Sequence, residues 1–332
     1  MKIIIDAMGG DSPEEIVKGA LASAKKYPDL GITVVGDDKL VRSVAEKENA
    51  AASAVEVISA SDVITNNESP TMAIKTKKGS SMVKALNALK EDADAIAMIS
   101  TGSTGAVLTG GSLIIGRIPG IYRPTLVSML PTIAGGMVSI ADSGANVDSR
   151  PEWLCQFAVM GSAYMRAMTG KDRPVVALLN VGTEEHKGNE LTHAAFELLK
   201  DTDLNFAGNM EARDALTGKY DVIVCDGYDG NVLIKGSEGA ARMVMKLLKE
   251  SIMSSVSAKI GYLFMKKSLG SLRTRMDFNN YGGAPFLGIR KCVIKAHGAS
   301  NARAVVNSVE QALKVQDGRV IEVIEKEVAE KA

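Results

Sequence analysis

The feature that most limits what this chain can become is its alternation of two kinds of segment. Short aliphatic runs at residues 3–5, 32–35, 55–58, 95–99, 175–179 and 222–225 are each followed by Gly, Asp, Asn or Ser, or end just before one. Between them lie longer amphipathic stretches, at 14–26, 80–90, 152–168 and 191–200. A short run that is apolar on both faces fits a strand covered by helices on both sides, as in a mainly parallel sheet. The pattern predicts an α/β fold, a three-layer α/β/α sandwich. Gly135 and Gly136 separate the segments 125–131 and 137–142. That pair predicts a hairpin, so the sheet is read as mixed and mainly parallel. No repeat or low-complexity linker interrupts the chain, and 1–332 is read as a single domain.

Composition narrows the function. The 332 residues carry 39 basic and 39 acidic side chains, without the basic surplus a general nucleic-acid binder needs. Cys155, Cys225 and Cys292 are widely spaced, which speaks against a disulfide framework or a structural zinc site and fits a reducing cytoplasm. The first six residues read as a strand rather than a secretory signal. No apolar run reaches the roughly 20 residues that span a bilayer. The expectation is a soluble cytoplasmic protein, at most peripherally attached to a membrane.

In open α/β sheets ligands bind beyond the carboxyl ends of the strands, so the residues there carry the functional signal. Asp6, Gly9, Gly10 and Asp11 follow the first run, and paired glycines let backbone N–H groups approach an anion. On this segment alone a tight turn with aspartate caps is the better reading. Gly102, Ser103, Thr104 and Gly105 follow the fourth run, where hydroxyls and glycines at a helix start make an anion site. A plain Ser/Thr helix cap explains them equally well. Asp142 and Asn146, then Asn180, Lys187 and Asn189, then Asp226 and Asn231, occupy three further strand ends. Each alone could be capping chemistry, but five such ends in one sheet favour a shared cleft. Lys295 and His297 follow the apolar pair Val293–Ile294. A lone histidine is more often structural, yet a strand end is where it would meet developing charge.

Several of these motifs together resemble a known family. Asp-Ala-Met-Gly-Gly-Asp at 6–11, Gly-Ala-Asn-Val-Asp at 144–148 and Leu-Leu-Asn-Val-Gly-Thr-Glu at 178–184 carry the resemblance. So do Lys-Gly-Asn-Glu-Leu at 187–191, Asp-Gly at 226–227, Gly-Asn-Val at 230–232, Asn-Tyr-Gly-Gly-Ala at 280–284 and Lys-Ala-His-Gly at 295–298. In register from residue 1 to about 315, the chain resembles the phosphate acyltransferase (PlsX) family of bacterial phospholipid synthesis. It departs from the family at Ser12–Pro13, one residue short, at Ser103 in place of an asparagine, and at Ser143 in place of a valine. The resemblance implies a fold like the isocitrate and isopropylmalate dehydrogenases, a homodimer, and no metal or organic cofactor. It implies transfer of a long-chain acyl group from acyl carrier protein to inorganic phosphate. The acyl phosphate would pass to a membrane glycerol-3-phosphate acyltransferase.

The residues support a mechanism of that kind. Phosphate with a second pKa near 6 is largely dianionic at neutral pH, so binding and oxyanion stabilisation matter more than a strong base. Lys187 and the backbone of 102–105 are expected to hold phosphate, and Asn189 and Asn231 to orient it. His297, with Lys295, is expected to stabilise the oxyanion or protonate the leaving sulfur. A covalent route through Cys225 is the sharper rival, though no base is visibly paired with it. Residues 251–276 read as helical and basic–apolar without an acidic group, a protrusion at about 250–276. Ile260, Leu263, Phe264, Lys266 and Lys267 there suit the inner face of an anionic membrane, or equally a dimer contact. Lys75, Lys77, Lys78, Arg242, Lys246 and Lys249 are candidates for meeting an acidic carrier protein. A coenzyme A-dependent acyltransferase, a dehydrogenase of similar fold and a non-catalytic scaffold remain open at this point.

Overall fold

The computed structural model describes residues 1–275 and 282–329. Met276, Asn280 and Tyr281, on which parts of two sequence expectations fall, lie outside those residues. The first half of the chain alternates β1 (Lys2–Asp6), α1 (Pro13–Lys26), β2 (Gly31–Gly36), α2 (Asp38–Lys47) and β3 (Glu56–Ser59). It continues through α3 (Pro70–Thr76), α4 (Ser81–Glu91), β4 (Ala95–Ser100) and α5 (Thr104–Gly110). The hairpin β5 (Thr125–Pro131) and β6 (Met137–Ala141) leads into α6 (Pro151–Thr169), β7 (Val175–Asn180), α7 (Glu190–Lys200) and β8 (Asn205–Glu211). Then come β9 (Val222–Val224), α8 (Gly227–Met253), α9 (Val256–Arg275), β10 (Ala284–Leu287), β11 (Cys292–Lys295), α10 (Ala302–Asp317) and α11 (Val320–Ala329).

The strands form one sheet in the order β3-β2-β1-β4-β11-β10-β5-β6-β9-β7-β8. Two parallel wings, β3 to β11 and β6 to β8, flank the central pair β10 and β5, which run antiparallel to their neighbours. The predicted class, mixed and mainly parallel with helices on both faces, is what the chain adopts. Burial explains the continuous apolar runs. Ile3 and Ile5 face one packed layer and Ile4 the other; Ile99 and Met98, and Val34 and Val35, divide in the same way. Helix ends follow local chemistry: α6 begins on Pro151 and stops at Gly170, whose φ of 72° suits a residue without a Cβ. The segment read as one helix over 251–276 is broken at residues 254–255, between α8 and α9.

Strand register brings the wings together. Lys295, at the end of β11, pairs with Ala284, the first residue of β10. The pairing of Phe286 with Leu126 sets that end of β10 beside the middle of β5. From the other side Ala141, the last residue of β6, pairs with Val127. The carboxyl ends of β11 and β6 therefore meet on the same stretch of β5, although they belong to opposite wings.

Candidate active site

A cleft of about 820 Å³ opens over this meeting point. One wall is made by the loops after β4 and β11, resting on the loop after β1. Asp6 is fully buried and accepts a hydrogen bond from Ser100 Oγ at 2.7 Å. The same Ser100 oxygen accepts from the N–H of Gly102 at 3.1 Å, which fixes the turn. Burial pushes the Asp6 carboxyl above its ordinary range, against the hydroxyls of Ser81 and Ser100, the Met8 N–H and the charge of Lys295. Gly9 and Gly10 make this stacking possible. A Cβ on Gly9 would lie 2.7 Å from Gly102 Cα, and one on Gly10 would lie 2.3 Å from Thr101 Oγ1. Their smallness serves close contact between loops. Asp11 is exposed, and its N–H donates to the carbonyl of Gly298 at 2.9 Å, tying in the third loop.

Lys295 and His297 line the cleft on this wall, with Gly102 and Thr104 beside them. The Lys295 ammonium donates to the carbonyls of Thr101, at 3.3 Å, and Ala296. Burial lowers its pKa to about 8, helped by repulsion from Lys235 and opposed by Asp6 and Asp11. The pKa of the His297 imidazole is also lowered, by desolvation and then by the charge of Lys235, which favours the neutral ring. Its Nδ1 accepts from the Ala299 N–H at 3.2 Å. In the neutral ring the proton then sits on Nε2, leaving a donor for the cleft. Ser103 is the N-cap residue of α5, and Gly105 packs on Pro70. Neither lines the cleft.

The opposite wall is anchored by Asp142. Its buried carboxylate accepts from the N–H groups of Leu126, Gly144, Ala145 and Asn146, and from the Asn146 amide. With its oxygens so engaged, Asp142 is a scaffold for the 143–146 turn, and Asn146 donates onward to the Pro124 carbonyl. Desolvation still holds the Asp142 carboxyl above its usual range. Asp226 caps α8 by accepting from the Tyr228 N–H at 2.7 Å and holds the Ser149 N–H at 2.8 Å. That cap seats the first turn of α8 on the backbone of Asp142 and Asn146 and sets Asn231 beside Gly144. Asn231 and Lys235 thereby enter the cleft. Lys235 was not among the residues singled out in the sequence. Its signal was spacing: four residues beyond Asn231 on a helix, it shares that residue's face.

A family model described as fatty acid synthesis protein matches residues 1–323. The phosphate acyltransferase of Clostridium acetobutylicum is 45% identical over 331 residues, covering 99% of both chains. That of Brevibacillus brevis is 46% identical over 326 residues, 98% of this chain and 96% of its own. This chain belongs to the phosphate acyltransferase family. It is an acyltransferase of fatty acid and phospholipid synthesis. Among solved structures, a phosphotransacetylase from Streptococcus pyogenes covers 95% of the chain and 94% of its own at TM-score 0.60 and 18% identity. A Salmonella typhimurium protein provisionally assigned as a 4-hydroxythreonine-4-phosphate dehydrogenase covers 95% and 99% at TM-score 0.51 and 12% identity. At such identities these two speak for the fold alone.

Three residues singled out in the sequence lie elsewhere in the structure. Asn180 ends β7, and Lys187 and Asn189 follow in the loop before α7, all three outside the cleft lining of their own chain. Asn180 accepts from the Val181 N–H and donates to the Lys187 carbonyl, while Asn189 forms a capping box with Thr192. These are turn and cap roles, so two of the five strand-end loops, those after β1 and β7, do not line the cleft. Cys225 is buried, donates to the Asp142 carbonyl at 3.3 Å, and has a thiol pKa pushed well up by desolvation and nearby aspartates. A shielded thiol of that kind is a poor nucleophile. Of the carrier candidates, Arg242 lines the cleft and Lys77 is paired with Glu68 and Asp62. Along α9, Ile260, Leu263 and Phe264 are 54%, 69% and 86% exposed, with Lys266 and Lys267 exposed beside them. No helix among the described residues is long and apolar enough to cross a membrane.

Proposed function

We propose that this acyltransferase moves a long-chain acyl group from the thioester of acyl carrier protein to inorganic phosphate, giving an acyl phosphate. The observation that carries the reading is the convergence of Lys295, His297, Lys235 and Asn231 on one cleft fed by both wings of the sheet. Lys295 and Lys235 attract phosphate, with Thr104 and Asn231 orienting it. A phosphate oxygen attacks the thioester carbon, and the oxyanion is met by the His297 Nε2–H. The new C–O bond forms, the C–S bond breaks, and the proton of the hydrogen phosphate dianion ends on the sulfur. The thiolate leaves readily because a thiol has a pKa of roughly 8.5. Phosphate-dependent release of free thiol from long-chain acyl-acyl carrier protein tests this, with acyl-coenzyme A in parallel. His297→Ala should lower turnover by about 100-fold. Wild-type-like turnover in that variant, or release from acyl-coenzyme A alone, overturns the assignment.

The same reading has the enzyme work as a homodimer on the inner face of the cell membrane, passing acyl phosphate to a membrane glycerol-3-phosphate acyltransferase. The exposed apolar and basic side chains of α9 support membrane contact. Met243, Val244 and Leu247 on α8, each about half exposed, support a contact between subunits.

A further inference from the structure

The wall that α8 gives to the cleft is longer than phosphate and a thioester carbon need. Asn231, Lys235, Glu238 and Arg242 line it, with Ile234, Ala241 and Met245 among them. Successive intervals of three and four residues put them on one helical face. Glu238, only 14% exposed at its side chain, stands 3.6 Å from Lys235 and 3.7 Å from Arg242. Both separations exceed hydrogen-bond length, so the carboxylate steadies the two cations while their N–H donors stay available. At 1.5 Å per residue, Arg242 stands about 10 Å beyond Lys235 and about 16 Å beyond Asn231.

We propose that Arg242, positioned by Glu238, binds the phosphate group of a phosphopantetheine arm whose thioester end reaches Asn231, Lys235 and His297. The inference rests on the reading that the acyl donor is a thioester carried on such an arm. Chemistry and length both fit. The arm has roughly thirteen bonds between sulfur and phosphorus, and an extended peptide advances about 3.5 Å per three bonds, so it spans about 15 Å. Its amides alternate with methylene and dimethyl groups, matching a wall on which polar side chains alternate with Ile234, Ala241 and Met245. The charges of Lys235, Glu238 and Arg242 sum to one positive charge, complementary to the phosphate. Guanidinium suits that partner because its planar fork pairs with two oxygens at once.

Calorimetric titration with phosphopantetheine and with pantetheine tests the subsite without any turnover. The wild-type protein should bind phosphopantetheine about threefold tighter, a modest ratio because the Arg242 side chain is 78% exposed and solvent screens the pair. Arg242→Gln should bring the ratio close to one, and Arg242→Lys should restore part of it. Equal binding of the two by the wild type, or an undiminished ratio in Arg242→Gln, overturns the proposal. Coenzyme A and the holo-carrier protein, titrated in parallel, name the source of the arm: the tighter binder should lose the same factor in Arg242→Gln. If the preference is present but phosphate releases no thiol, the subsite stands and the acyl-transfer reading falls.

Discussion

At the scale of single residues, Lys295 is where burial bears on the proposed phosphate site. Its ammonium is held against two carbonyls in a desolvated wall, and its pKa is brought down to about 8. If its charge attracts phosphate, kcat/KM for phosphate should rise as phosphate becomes dianionic above about pH 6. It should then fall as pH passes about 8. Lys295→Arg keeps a charge at every accessible pH, so the alkaline fall should vanish even if the rate is lower. An unchanged alkaline limb in that variant would remove Lys295 from phosphate binding. The same shift acts on stability with the opposite sign. Between about pH 8 and the ordinary lysine value the unfolded chain holds a proton that the folded lysine has lost. This group alone therefore makes unfolding harder as pH rises through that window. Lys295, His297 and Asn231 were legible because strand ends attract attention. Lys187 and Asn189 were legible for the same reason, but polar residues there serve caps and turns as often as ligands. Lys235 and Glu238 sit in the body of a helix, where only their spacing from Asn231 gives them away.

At the scale of elements, the wall of the cleft is a stack of loops whose separation is set by missing side chains. Gly9→Ala would drive a Cβ to 2.7 Å from backbone that belongs to the Thr101–Gly102 turn. Backbone cannot step aside as a flexible side chain can. The variant is expected to lose about 1–3 kcal/mol of stability, read from the midpoint of urea unfolding. It should lose about 100-fold in turnover, because the displaced turn carries groups that line the proposed phosphate site. Loss of stability with full turnover would mean the turn does not take part. Most strands, and the helices α1, α4, α6 and α7, were readable from the alternation of apolar runs, and the Gly135–Gly136 hairpin was placed correctly. What no local pattern reveals is the pairing of β10 with β5 and of β11 with β4, in each case between strands distant in sequence. That register carries the ends of β11 and β6 to the same place, and with it the convergence of His297 and Asn231.

At the scale of the whole molecule, the proposed catalytic cleft and the proposed membrane-facing surface occupy different parts of the chain. The cleft lies over the centre of the sheet, while α9 leaves Leu263 and Phe264 largely bare. With both replaced by glutamate, cosedimentation with anionic phospholipid vesicles should drop at least tenfold, since burial of two large apolar groups is lost and charge repulsion added. Undiminished sedimentation would assign that face to another contact. Product mass decides directly whether inorganic phosphate is the nucleophile. Long-chain acyl-acyl carrier protein is incubated with the enzyme and phosphate labelled with ¹⁸O at every oxygen. The expected product is an acyl phosphate that carries all of the label, formed together with free carrier thiol. Unlabelled fatty acid released at the same rate, with no labelled acyl phosphate, would make water the acceptor and rule phosphate out.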